Sequence, residues 1–269
     1  MPKVLNIAHR GARSLAPENT LAAARKAFEL GADMWELDVG LTADGVPILV
    51  HDSTLERTSN VAEIFPERAP WRLHEFTMAE YRKIDFGGWF NEQDPFGQIR
   101  AGAVSRHDQE SYVGEPAPTL EEALRFTRQH GWRVNVEIKD MTGTAGDATI
   151  VEKVVALIEE SKMRGQVLLS SFNHDYLRRA RTLAPHLALG ALVEERVDDP
   201  AALLRQLDAQ FYNPHLGVIS LEEIAPLRAQ GVDVNVWTVN DEALMRRLME
   251  AGVSGLFTDF PQRLLALQG

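Results

Sequence analysis

Eight short β-rich runs, separated by polar loops and amphipathic helical patterns, limit what this chain can fold into more than any other feature. The runs cover residues 5–9, 35–39, 133–139, 167–172, 187–193, 210–214, 234–239 and 255–259. Between them, residues 20–30, 120–130, 148–163, 176–183, 201–209, 221–230 and 242–251 carry amphipathic helical spacing, with Leu21, Ala24 and Phe28 on one face. Thr119 with Glu122 and Ser220 with Glu223 have the spacing of capping boxes. Gly31, Gly131, Gly165, Gly231 and Gly252 stand where left-handed helix ends are expected. Eight strands alternating with helices over about 250 residues predict an α/β fold, a single (β/α)8 TIM-type barrel. An open doubly wound sheet competes, but no G-x-G-x-x-G fingerprint follows the first run.

Residues 53–118 interrupt the rhythm after the second run. They hold nine of the chain's 20 aromatics, including Phe86, Trp89, Phe90 and Phe96, with little helical period. The segment reads as an insertion within one catalytic domain spanning 1–269. It either needs a small core of its own or walls the barrel mouth, where loops carry specificity, and the two readings are compatible.

Charge and composition remove several function classes. Lys and Arg number 28 against 39 Asp and Glu, a net charge of −11, which argues against nucleic acid or an anionic membrane as partner. With no cysteine there is no disulfide framework, thiolate metal site or cysteine nucleophile. No apolar leader is evident, and no apolar stretch approaches the roughly 18 residues of a membrane span, so the expected location is the cytoplasm, without stable membrane insertion. An anionic ligand would have to be held locally, by a few placed cations or a metal.

Strand parity gives those charges a direction. In Trp35-Glu36-Leu37-Asp38-Val39 the apolar residues share one face and both carboxylates the other. The outer face of a barrel strand packs on helices, so Glu36 and Asp38 should point inward, as should Asn135, Glu137 and Lys139, and Asn235 with Trp237. Asp44-Gly45 between apolar runs signals a hairpin, which brings His51 back beside Asp38 within a residue or two of register. Three carboxylates about 5 Å apart repel by roughly 3 kcal/mol per pair at an effective dielectric near 20. Arg10 and Lys139 could compensate, but a hard divalent ion does so better, and oxygen ligands suit Mg²⁺, Ca²⁺ or Mn²⁺ over Zn²⁺.

The first run ends in His9-Arg10-Gly11, a cationic pair that a plain turn does not need. With His51, three metal-binding carboxylates and Lys139, it makes a set that can neutralise phosphoryl oxygens and move protons on and off entering and leaving oxygens. That chemistry fits phosphodiester cleavage. Pro17-Glu18-Asn19-Thr20 reads equally well as no more than a helix start, with Asn19 or Thr20 as cap. His74, His107, His130, His174, His186 and His215 lack such partners and read as surface or packing residues.

These motifs together resemble the glycerophosphodiester phosphodiesterases: His9-Arg10-Gly11, Pro17-Glu18-Asn19-Thr20, Glu36-x-Asp38, Thr42-x-Asp44-Gly45, His51-Asp52, Arg57-Thr58, Glu137-x-Lys139, Ser171-Phe172, Trp237-Thr238 and Thr258-Asp259-x-Pro261. The resemblance implies metal-dependent hydrolysis of deacylated phospholipids to glycerol 3-phosphate and an alcohol, with a small-molecule glycerophosphodiester as partner. It also implies His9 and His51 as the acid-base pair, Glu36, Asp38 and Glu137 as ligands of one Mg²⁺, Ca²⁺ or Mn²⁺, and Arg10 and Lys139 on the phosphate. The insertion would help enclose the glycerol end. Ala43, where a basic residue is common, and Ser59, where a second threonine is usual, depart from the pattern without touching this chemistry. Phe172 and Trp237 are candidate substrate walls. Competing readings are cleavage of lysophospholipids by the same site and a non-catalytic barrel that binds phosphorylated glycerol or sugar.

Overall fold

The computed structural model describes residues 3–269. Strands β1 (Leu5–Ala8), β2 (Met34–Leu41), β4 (Val134–Ile138), β5 (Val167–Ser171), β6 (Ala188–Val193), β7 (Phe211–Pro214), β8 (Asp233–Val236) and β9 (Gly255–Thr258) run parallel in the order β1-β9-β8-β7-β6-β5-β4-β2. Pairing of Ile7 with Met34 and Ala8 with Trp35 closes the ring. This is the eight-stranded barrel that the alternating pattern predicts. Strand β3 (Pro47–Leu49) lies outside the ring and pairs antiparallel with β2, Val39 facing Leu49. That register continues as a hydrogen bond from Val50 N to Asp38 O, so Val50 faces Asp38 and His51 stands one residue further on.

The inside and outside of the ring are sorted by parity. Trp35, Leu37 and Val39 face outward into the main hydrophobic core, where the Trp35 indole donates to Thr127 and stacks on Trp132. Ile7, Met34, Leu168 and Phe257 form a separate inner cluster that fills the barrel below the functional end. Every helical pattern of the sequence becomes a helix, and both capping boxes form. Two ends differ. The helix Ile150–Ser161 ends on Lys162 in the left-handed region, three residues before Gly165. A final helix, Pro261–Gln268, starts on a proline and falls outside the predicted patterns.

The insertion's aromatics pack inward. Phe76, Tyr81 and Phe86 join the main core, while Trp89, Phe90, Val104 and Tyr112 pack with Leu15, Ala16, Ala22 and Ala23 in a satellite cluster. Phe96 meets Phe260 edge-on, with ring centroids 5.5 Å apart, and so ties the insertion to the loop after β9.

Candidate active site

The C-terminal ends of the strands surround a cavity of about 330 Å³ lined by His9, Arg10, Glu36, His51, Glu137 and Lys139 on one side. Phe172, Leu192, Glu194, Trp237 and Phe257 complete it. Because strand side chains alternate, Glu36 and Asp38 of β2 and Glu137 of β4 reach the same side of the ring, with Asp38 in register with Glu137. All three are buried, and one oxygen from each lies within 4.8 Å of the others. At that spacing each ionised pair costs about 3.5 kcal/mol at an effective dielectric near 20.

The cluster is unevenly compensated. Burial works against ionisation of Asp38, but Lys139 at 3.3 Å and Arg10 at 3.2 Å favour the carboxylate and hold its pKa well below the usual range. Asn19 adds a donor at 2.8 Å to one Asp38 oxygen and accepts from the Asp38 backbone N–H. Burial, Asp38 and Glu137 push Glu36 well above the usual range, and burial with Asp38 raises Glu137 as well. Glu36 accepts from the Arg10 backbone N–H at 2.8 Å, yet its other oxygen is buried without a partner. An orphaned carboxylate oxygen facing two further carboxylates is what a hard cation would satisfy, so the residues fit a divalent metal.

Each cavity histidine is oriented by a carboxylate on its Nδ1. His9 Nδ1 lies 2.7 Å from Asp259, at the end of β9, and His51 Nδ1 lies 2.6 Å from Asp52. Since an ionised carboxylate only accepts, these contacts keep a proton on each Nδ1 and turn Nε2 to the cavity, as a lone pair on a neutral ring or a second N–H on a protonated one. Asp259 is itself fixed by the Asn240 side chain at 2.7 Å. Burial, and then Arg10, lower the His9 imidazole to about 4, against the opposing pull of Asp259.

Behind the cavity wall, Glu18 gathers three arginines: Arg10 at 2.8 Å, Arg13 at 2.9 Å and Arg57 at 2.7 Å. Their charges overcome burial and hold Glu18 far below the usual carboxylate range. The Pro17-Glu18-Asn19-Thr20 stretch therefore does more than start a helix. Thr20 is the cap, accepting from Ala23 N, while Glu18 and Asn19 support Arg10 and Asp38. Arg57 also bonds Asp52 at 2.5 Å, linking the insertion to the His51 carboxylate.

All the residues singled out in the sequence thus meet at one end of the barrel: His9, His51, Glu36, Asp38, Glu137, Arg10, Lys139, Phe172 and Trp237. Phe172 and Trp237 stand at right angles with centroids 5.3 Å apart, on the side away from the carboxylates. His215 packs against Trp237 and accepts from Gly217 N. Asp259, Glu18, Asn19 and Glu194 were not singled out for the site. The capping role hid Glu18 and Asn19, and Asp259 meets His9 only because β9 closes against β1, 250 residues away. Glu194 follows Leu192 at period two, the one local signal that could have pointed inward.

Residues 9–263 match the model of the Glycerophosphoryl diester phosphodiesterase family. The chain is 36% identical to a glycerophosphodiester phosphodiesterase of Caldanaerobacter subterraneus subsp. tengcongensis, over 98% of each chain. It is 31% identical to a Bacillus subtilis enzyme of the same description, over 96% of this chain and 84% of that one. Among solved structures, an Oleispira antarctica phosphodiesterase in complex with the product sn-glycerol-3-phosphate is 29% identical. It aligns with a TM-score of 0.79 over 99% of this chain and 96% of that one. A protein from Silicibacter pomeroyi described as a putative glycerophosphoryl diester phosphodiesterase aligns with a TM-score of 0.85 at 26% identity, over 100% and 94%.

Proposed function

The chain belongs to the glycerophosphoryl diester phosphodiesterase family and is an enzyme that hydrolyses glycerophosphodiesters to sn-glycerol 3-phosphate and an alcohol, and from that premise we propose how its residues divide the work. The carrying observation is one cavity in which two carboxylate-oriented histidines flank a cluster of three carboxylates, with Arg10 and Lys139 beside it.

Arg10 and Lys139 bind the phosphodiester oxygens, each held in place by Asp38. His9, neutral at pH 7, accepts the proton of the attacking hydroxyl at Nε2 while Asp259 keeps the other proton on Nδ1. His51 enters the step protonated on both ring nitrogens, gives its Nε2 proton to the departing alcohol oxygen and keeps the Nδ1 proton on Asp52. In the two-stage form the attacking group is the glycerol 2-hydroxyl. Its oxygen bonds to phosphorus as the bond to the alcohol breaks, and water then opens the cyclic phosphate with the histidine roles reversed. A substrate lacking the 2-hydroxyl should then resist cleavage, and its efficient turnover would refute this form. Glu36, Asp38 and Glu137 are the proposed ligands of one Mg²⁺, Ca²⁺ or Mn²⁺, which when bound supplies charge neutralisation at the phosphate.

Residues 53–118 act as a cap on one side of the mouth, a reading supported by Arg57 on Glu18 and Phe96 on Phe260. No helix among the described residues is long and apolar enough to cross a membrane, and the cytoplasm is the proposed location. The test is release of glycerol 3-phosphate from glycerophosphocholine and glycerophosphoethanolamine, with EDTA and with each divalent ion restored, beside His9→Ala. Activity should need both the metal and His9. Full activity in excess EDTA, or in His9→Ala, would overturn the assignment.

A further inference from the structure

Resting on the glycerophosphodiester reading above, we infer that Glu194 with Phe172 and Trp237 forms a subsite for a positively charged leaving alcohol, so that the enzyme selects diesters whose alcohol carries an ammonium group.

The argument starts from the two halves of the cavity. Its polar half comes from β1, β2 and β4 and from His51, and the carboxylates there are engaged: Glu36 by the Arg10 backbone, Glu137 by Lys139 and Asp38 by both cations. Its other half comes from the ends of β5, β6 and β8. Since β6 lies three strands from β2 in one direction and four from β1 in the other, Glu194 stands across the barrel mouth from His9 and Glu36.

Strand parity fixes where Glu194 points. Gly190 of β6 faces inward, because a Cβ there would meet the Asn213 side chain at 2.7 Å. Leu192 and Glu194 follow at period two, and both line the cavity. Among the described residues Glu194 has no ion pair and no side-chain hydrogen bond, and the nearby Arg196 is paired with Glu223 instead. Of the carboxylates lining the cavity it alone has neither an ion pair nor a hydrogen bond, since Glu36 is held by the Arg10 backbone and Glu137 by Lys139. Beside it, Phe172 is 38% exposed, although large apolar side chains on this protein are mostly buried. Trp237 is held by a bond from its indole N–H to Asn213 O at 2.8 Å. Two rings at right angles and a free carboxylate provide a π-face attraction and a counter-charge, the combination that recognises an ammonium or quaternary ammonium group.

The orientation of the substrate follows from what covers each half. The insertion contributes no residue to the cavity lining, but it stands behind the β9-β1-β2 side, where Arg57 bonds Glu18 and Phe96 packs on Phe260, and makes no such contact behind the β5–β8 wall. With the phosphate between Arg10, Lys139 and the two histidines, the glycerol lies under the insertion and the alcohol crosses to the open wall carrying Glu194.

The experiment measures kcat/KM for glycerophosphocholine, glycerophosphoethanolamine and the uncharged-alcohol diester bis(glycero)phosphate, in wild type, Glu194→Gln and Glu194→Lys. The reading is the ratio of cationic to uncharged substrate, which removes any general loss. That ratio should fall about three- to fivefold in Glu194→Gln, chiefly through KM, and further in Glu194→Lys. An unchanged ratio overturns the proposal, and so does an equal loss on all three substrates, which would place Glu194 on the glycerol they share. A wild type that cleaves none of the three with metal present refutes the underlying function, and the subsite with it.

Discussion

Replacing Glu18 by Gln keeps the shape of the side chain and removes the charge that holds three arginines. Glu18 is 6% exposed, and its contacts to Arg10, Arg13 and Arg57 lie between 2.7 and 3.1 Å. Arg57 is 41% exposed and contributes little through solvent, but the Arg10 and Arg13 side chains, at 10% and 17%, would lose their shortest carboxylate contacts and keep only Asp38 at 3.2 Å and Asp259 at 3.6 Å. Breaking a buried pair by removing one partner costs about 3–5 kcal/mol. With an unfolding entropy of about 2.1 cal/mol/K per residue, 269 residues give about 0.56 kcal/mol per degree, so Tm should fall by about 5–9 °C at pH 7. The pH dependence has a definite sign. The folded-state pKa of Glu18 lies below its ordinary value of 4.5, so its contribution is fully present above that pH and is lost as pH falls through the folded value. The gap between wild type and variant should therefore be constant from pH 6 to 8 and narrow below about pH 4.5. Thermal unfolding followed by circular dichroism across that range is the assay, with substrate KM as a second readout of how well Arg10 is placed. A Tm within 2 °C of wild type at pH 7, or a gap that widens in acid, would refute the reasoning.

Three further outcomes follow from the site. Asp259→Asn lets the His9 imidazole lose its fixed tautomer, so kcat should fall by about 10²–10⁴-fold; because Asp259 raises His9, the acid limb of the kcat/KM profile should also move to lower pH, and an unmoved limb would assign that limb to another group. In metal-free enzyme Glu36→Gln should raise Tm or leave it unchanged, with a gain that grows as pH rises above 4.5, since the folded carboxyl is raised and its ionisation there is unfavourable; the same variant should abolish the Tm increase of about 5 °C expected on adding metal at 100 times its Kd, and retention of that increase would place the metal elsewhere. Gly11→Ala should destabilise by at least about 2 kcal/mol in urea unfolding, because φ is +81° and a Cβ would lie 2.6 Å from the Ala23 backbone; a loss under 0.5 kcal/mol would contradict the geometry.

The sequence by itself determined the barrel and the catalytic end of it, because both rest on short-range periodicity. Alternation at period two sent Trp35, Leu37 and Val39 outward and Glu36 and Asp38 inward whatever the rest of the chain did, and the same parity delivered Glu137, Lys139 and Trp237. The Asp44-Gly45 turn returned His51 to the site because hairpin geometry is local, and only the register, one residue from direct opposition, needed coordinates. Short-range spacing was less informative where one residue serves two ends. Glu18 and Asn19 sit in a helix-start motif, so their second use stayed hidden until Arg10, Arg13, Arg57 and Asp38 were placed around them. Only the tertiary structure decided the pairings that cross the chain: Asp259 on His9 through closure of β9 on β1, Arg57 of the insertion on Glu18, and Glu194 on the same wall as Phe172 and Trp237, across the mouth from His9. The reason is physical. Dihedral and side-chain periodicity act over a few residues, whereas a charge chooses its partner by distance in space, and that distance exists only after the ring has closed.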